Sequence, residues 1–170
     1  MFRTLLLLGL MPTAAWAQTT PSEPPQLFVD LIASVTKSDF HIDSRYPNQG
    51  IVPGYSYCAS SNESGCKEVV ADWKSVIVAN RGKGVVQEIR LLSYADDTSA
   101  AQGVLAFNSE EFAFAKHPYR IWRVGTSVIV VESRWRWTKQ REALTNRAEK
   151  YLCGKYLAEL APSTGCVSQR

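Results

Sequence analysis

Few side chains in this chain stand at spacings that could do chemistry. His41 lies in the run FHID, two residues before Asp43, and the other histidine, His117, precedes Pro118. An imidazole oriented by a carboxylate is a common general acid–base pair. Residues two apart on a strand share a face, so the His41–Asp43 spacing permits that chemistry without requiring contact. H-x-D also arises by chance, and a loop histidine needs no role. No G-x-S-x-G, S-x-x-K or H-E-x-x-H occurs, so no serine or zinc machinery stands beside the pair. The acid pairs Asp96-Asp97 and Glu110-Glu111 could run paired-carboxylate chemistry. Both stand where helices begin, and capping alone explains acids there.

A second group is the run RWRWTKQR, Arg134 to Arg141. Arginine pairs in bidentate fashion with carboxylate or phosphate, and tryptophan adds stacking area. On a strand, however, Trp135 and Trp137 project opposite to Arg134 and Arg136, so the tryptophans read as core. What remains is a basic strip of Arg134 and Arg136, joined by Arg120, Arg123 or Lys139. Tyr55 and Tyr57, in a long irregular stretch, are the other candidates for binding. Tyrosine and arginine are enriched where binding energy concentrates.

Four cysteines are present: Cys58, Cys66, Cys153 and Cys166. An even count in an oxidising compartment reads as disulfides. Three pairings are open, and the local pairs Cys58–Cys66 and Cys153–Cys166 each close a short loop of turn-forming residues. Such a closure contributes roughly 2–4 kcal/mol in the chain-entropy model. Neither pair has the C-x-x-C spacing of zinc or redox sites, so no metal and no cofactor is expected. Asn62-Glu63-Ser64 matches the glycosylation pattern, which matters only in a host with that machinery.

The compartment follows from the first 17 residues. Arg3, the apolar run Leu5 to Met11 and the A-x-A site Ala15-Trp16-Ala17 read as a signal peptide, residues 1–17, with Gln18 as the mature N-terminus. The apolar run is too short to span a bilayer, and no second one follows, so no transmembrane segment is expected in the mature chain. Cleavage near Ala17 places the protein in the periplasm or outside the cell. The formal net charge of +3 is mildly basic and does not suggest a nucleic-acid partner.

The elements that would position these groups are read from periodicity. Residues 18–26 (QTTPSEPPQ) form a Pro-rich lead-in to one domain, residues 27–170. Phe28, Leu31, Ile32 and Val35 are spaced for an amphipathic helix over Gln26 to Ser38. Asp39 to Cys66 reads as a long irregular connection, either functional or simply clipped by Cys58–Cys66. Val69 to Ala79 alternates as a strand, with Val69, Ala71, Trp73, Ile77 and Ala79 on one side and Asp72 and Lys74 on the other. The glycine-rich turn NRGKG joins it to a second strand, Val85 to Tyr94. Asp96-Asp97-Thr98 opens a helix with Ala101, Val104 and Leu105 at helical spacing, and Asn108 to Glu111 looks like a second start.

The clearest pattern is Tyr119 to Trp137. Gly125-Thr126 between two β-rich runs suits a type II′ turn. That turn sets Val124 opposite Ser127, Trp122 opposite Ile129 and Arg120 opposite Val131. Both faces near the turn are apolar, which predicts a central position with packing on each side. A last helix runs from about Lys139 to Ala161, capped by Thr138, with Leu144, Ala148, Tyr151, Leu152 and Leu160 inward. Gly154 within it either allows close packing or lets Cys153 reach Cys166.

The expected fold is therefore a single α+β domain. It has a four-stranded, mainly antiparallel sheet with helices packed on it, in α-ββ-α-ββ-α order, stapled by two disulfides. The expected function is a small exported binding module, an inhibitor, immunity-type protein or accessory subunit of an envelope assembly. Its partner would be another protein or an anionic envelope component. A small secreted hydrolase using His41 with Asp43 is the alternative, and a structural envelope protein without a ligand is the third reading.

Overall fold

A computed structural model describes residues 23–37, 39–43, 50–53, 68–79, 86–107, 119–133 and 139–160. Helix α1 (Gln26–Val35) buries Phe28, Leu31, Ile32 and Val35, the stripe its spacing predicts. The helix starts at Pro25, whose carbonyl accepts the N–H groups of Phe28 and Val29 at 2.8 and 3.2 Å. Pro24-Pro25 cannot extend it backwards, because a proline disfavours helix at the residue before it.

The sheet is formed by β1 (Phe40–Ile42), β2 (Ile51–Pro53), β3 (Val69–Ala79), β4 (Val86–Tyr94), β5 (Tyr119–Val124) and β6 (Ser127–Ser133). The expectation of four strands is corrected to six. The two extra strands lie in the stretch read as irregular. Each is three residues long, too short to show a period of two. They exist because β3 offers them an edge. β1 pairs antiparallel with Ile77–Ala79 and β2 with Trp73–Ser75, side by side along the strand. The strand order is β1-β3-β4-β6-β5, with β2 also on β3, and every pairing is antiparallel.

The β5–β6 hairpin has the register its sequence predicts: Val124 opposite Ser127, Trp122 opposite Ile129, Arg120 opposite Val131. Gly125 has φ 54 while Thr126 is not left-handed, the pattern of a II′ turn rather than I′. Strand β6 is central. Strand β5 is at the border of the sheet, where Leu160 forms an isolated antiparallel bridge to Val124.

Helices cover both faces. On the first, α1 and helix α3 (Lys139–Tyr156) pack on Trp73, Ile77, Ile89, Leu91, Trp122, Ile129 and Val131. On the second, helix α2 (Asp97–Phe107) packs on Val69, Leu92, Tyr94, Val128 and Val130. Three expectations shift here. Val69 lies on the second face, not beside Ala71, because a register irregularity between Val69 and Ala71 inverts the alternation. The buried stripe of α2 is Ala100, Gly103, Val104 and Phe107, and Leu105 is exposed. A Cβ at Gly103 would sit 2.3 Å from Tyr94 Oη, so a glycine is what lets this helix approach the sheet. Finally, α3 ends at Tyr156, which frees Leu160 to reach β5, and among the described residues nothing lies within 4 Å of a Cβ built at Gly154.

Candidate functional site

The first-named pair, His41 and Asp43, lies at the β1 edge. His41 is exposed opposite Val78, and Asp43 is buried, its N–H donating to Val76 O at 2.9 Å. The antiparallel register puts both on the second face of the sheet, one pleat apart. Arg123 is 20 % exposed and already engaged: its Nη1 lies 3.6 Å from Asp97 Oδ1 and donates to Gly125 O at 3.3 Å. It ties the hairpin turn to the start of α2. Arg120, three residues earlier, is exposed on the opposite face, so these two arginines cannot form one strip. Arg134, Arg136, Tyr55, Tyr57, Cys58, Cys66 and Cys166 lie outside the described residues, and Cys153 carries no free thiol.

The charged groups that gather most closely are ones the sequence reading passed over. Asp72 of β3 and Glu88 and Arg90 of β4 share the second face beyond the edge of α2. Their side chains are 10, 5 and 11 % exposed. Arg90 Nε donates to Glu88 Oε1 at 2.5 Å, and its Nη1 lies 3.5 Å from Asp72 Oδ2. The register explains the meeting: Lys74 is directly opposite Arg90 and Asp72 opposite Leu92, so Arg90 reaches Asp72 on the diagonal. Burial pushes the Asp72 carboxyl up to about 6, against the pull of Arg90 and with a further push from Glu88. Burial also raises the Tyr94 hydroxyl, and Asp72 adds to it. The available signal was alternation itself. Asp72 and Lys74 on one strand and Glu88 and Arg90 on the next are the polar positions of paired strands. That a helix would bury part of that face was not legible.

A third cluster joins α1 to α3. Lys155 Nζ bonds Asp30 Oδ2 at 2.6 Å and Tyr151 Oη at 3.2 Å, and stands over the Tyr151 and Tyr156 rings. That hydrogen bond lowers the Asp30 carboxyl. Nearby, Arg147 donates to the Lys37 carbonyl, pairs with Asp39 at 3.2 Å and lies 5.0 Å from the Phe40 ring centre. The charged side of α3 is thus partly a clamp on the α1–β1 junction. At the other helix start, Asp96 Oδ1 accepts the Ser99 N–H at 2.8 Å, so within the run Asp96-Asp97-Thr98 it is Asp96 that caps, and this bond lowers the Asp96 carboxyl. The Ser99 hydroxyl bonds Glu68 Oε2.

Among the described residues no three His, Cys, Asp or Glu side chains gather at metal-binding geometry, and no helix is long and apolar enough to cross a membrane. No family model, curated protein or solved structure matches the chain.

Proposed function

We propose that this protein is a small exported binding module whose partner is another protein. The observation that carries this reading is the mounting of residues 39–67. Helices cover both sheet faces, α1 and α3 on one and α2 on the other, which leaves edges and connections for recognition. The stretch 39–67 is pinned twice to β3, at β1 and at β2, and Tyr55 and Tyr57 follow directly after β2 ends at Pro53. Loops held by a rigid scaffold are the usual carriers of recognition, and tyrosine supplies large contact area at low entropic cost. Gly50, with φ 74, directly precedes β2, and a Cβ there would sit 1.7 Å from Ile42 Cγ2, so the start of β2 is tightly juxtaposed with β1.

Disulfides Cys58–Cys66 and Cys153–Cys166 complete the proposal. The first would staple the chain directly after Tyr55 and Tyr57, between Cys58 and Cys66, and the second would hold the segment after α3. Arg134 and Arg136 would add charge complementarity. The test is capture from the envelope extract of the source cells by the immobilised mature protein, beside a Tyr55→Ala/Tyr57→Ala variant. The expected result is a stoichiometric partner retained by the wild type and lost by the variant at unchanged melting temperature. Equal capture by both proteins removes the tyrosine loop from the proposal. The shared face of His41 and Asp43 keeps a second reading in play, a small secreted hydrolase. Hydrolytic activity abolished by His41→Ala would favour it over the binding reading.

A further inference from the structure

On the second sheet face one guanidinium meets two carboxylates out of water. Arg90 is hydrogen-bonded to Glu88 at 2.5 Å and stands farther from Asp72, at 3.5 Å. Neither carboxylate oxygen of Asp72 accepts a hydrogen bond, although both are buried. The charged and titratable groups that act on Asp72, among the described residues, come from two strands. They are Lys74 on β3, and Arg90, Glu88 and Tyr94 on β4. From the neighbouring elements, β2 sets Val52 opposite Lys74, and β6 sets Val130 opposite Arg90 and Glu132 opposite Glu88. The one acid of α2, Asp97, is paired with Arg123.

A buried anion without donors is costly, because desolvation penalises the charged form and nothing replaces the lost water. Glu88 holds the short bond to the cation, so Asp72 is the weaker claimant. We infer that Asp72 is a proton-accepting site of the folded protein, which makes this face an acid-responsive charge cluster. Protonation removes the excess negative charge beside Glu88 and leaves the Arg90–Glu88 pair intact. The direction of linkage follows from the raised carboxyl. Between its ordinary value of 3.8 and about 6, the folded chain holds a proton that the unfolded chain has released. Stability therefore falls as pH rises through that window, stays reduced above it, and is recovered on acidification. Strand β3, which carries Asp72, also mounts β1 and β2.

The experiment is thermal unfolding of the mature protein and of Asp72→Asn between about pH 7 and about pH 4. Asn keeps the shape and removes the titration. The expected result is a variant more stable than wild type at the upper pH. The gap should close on acidification by several degrees, of order 4 °C for a domain this size. Parallel pH dependence of the two proteins overturns the inference. If Asp72→Asn does not fold, a carboxyl-carbon NMR titration of the wild type decides. A midpoint near the raised value supports the site, and a midpoint in the ordinary aspartate range overturns it. The measurement uses the isolated protein, so its outcome is separate from that of the partner capture.

Discussion

The two faces of the sheet are built from the same strands yet solve different problems. The first is a large apolar interface, where Phe28, Leu31, Trp73, Ile89, Leu91, Trp122, Ile129, Leu144 and Leu152 pack beneath two helices. The second is smaller. Its apolar part lies under α2, and beside it Asp72, Glu88 and Arg90 are nearly as buried as the core. The first face gains stability mainly from buried apolar area and interdigitation, although Trp73 Nε1, Ser75 Oγ and the Gln87 amide are buried there without a hydrogen-bond partner among the described residues. The second must also satisfy charge, and leaves Asp72 without a hydrogen-bond donor. Stability should therefore reside mainly on the first face, and sensitivity to conditions on the second.

Three substitutions test that division, beyond the pH experiment on Asp72. Trp122, on the border strand β5, is 2 % exposed within the first-face core. Trp122→Ala should cost about 3–5 kcal/mol in urea unfolding. A loss near 1 kcal/mol would mean that this face is not where the stability lies. On the second face, Gly103→Ala places a methyl against the Tyr94 hydroxyl. Overpacking of this kind costs roughly 1–3 kcal/mol. No loss would show that α2 shifts freely on the sheet, and would weaken the picture of a fitted face. The smallest effect is expected at Ser75, a fully buried hydroxyl on the first face with no protein hydrogen-bond partner. Ser75→Ala should be neutral or stabilising by up to about 1 kcal/mol, because it removes an unsatisfied group. A clear loss in the melt would mean that the hydroxyl is satisfied, and that the first face is less purely apolar than its neighbours imply.

How far the sequence reached can be seen residue by residue. The β5–β6 register was readable because a two-residue glycine turn specifies it locally. Helix α1 was readable because Phe28, Leu31, Ile32 and Val35 repeat at helical spacing with no competing pattern. Strands β1 and β2 were not, since three residues carry no period and both depend on pairing with the edge of β3. The stripe of α2 was partly misplaced because half of its apolar packing face is Ala100 and Gly103, beside Val104 and Phe107. Small residues give little hydrophobic contrast, and only the approach to Tyr94 shows which side is inward. Of the candidate site residues, His41 and Asp43 could be placed on a shared face from their spacing. Arg123 could not be recognised as a tie between the hairpin turn and α2, because Asp97 is distant in sequence.

By itself, the sequence determined the local features: the hairpin turn and its register, the α1 stripe, the Asp96 cap and the antiparallel αβ character. Each rests on interactions within a few residues, where steric and hydrogen-bonding rules act on the chain directly. Only the tertiary structure decided which edge of β3 would recruit β1 and β2, and which helices would cover which face. It also brought Asp72, Glu88 and Arg90 to one buried place. Those outcomes depend on pairing and burial between distant segments, and the pKa of a carboxylate depends on what surrounds it in space.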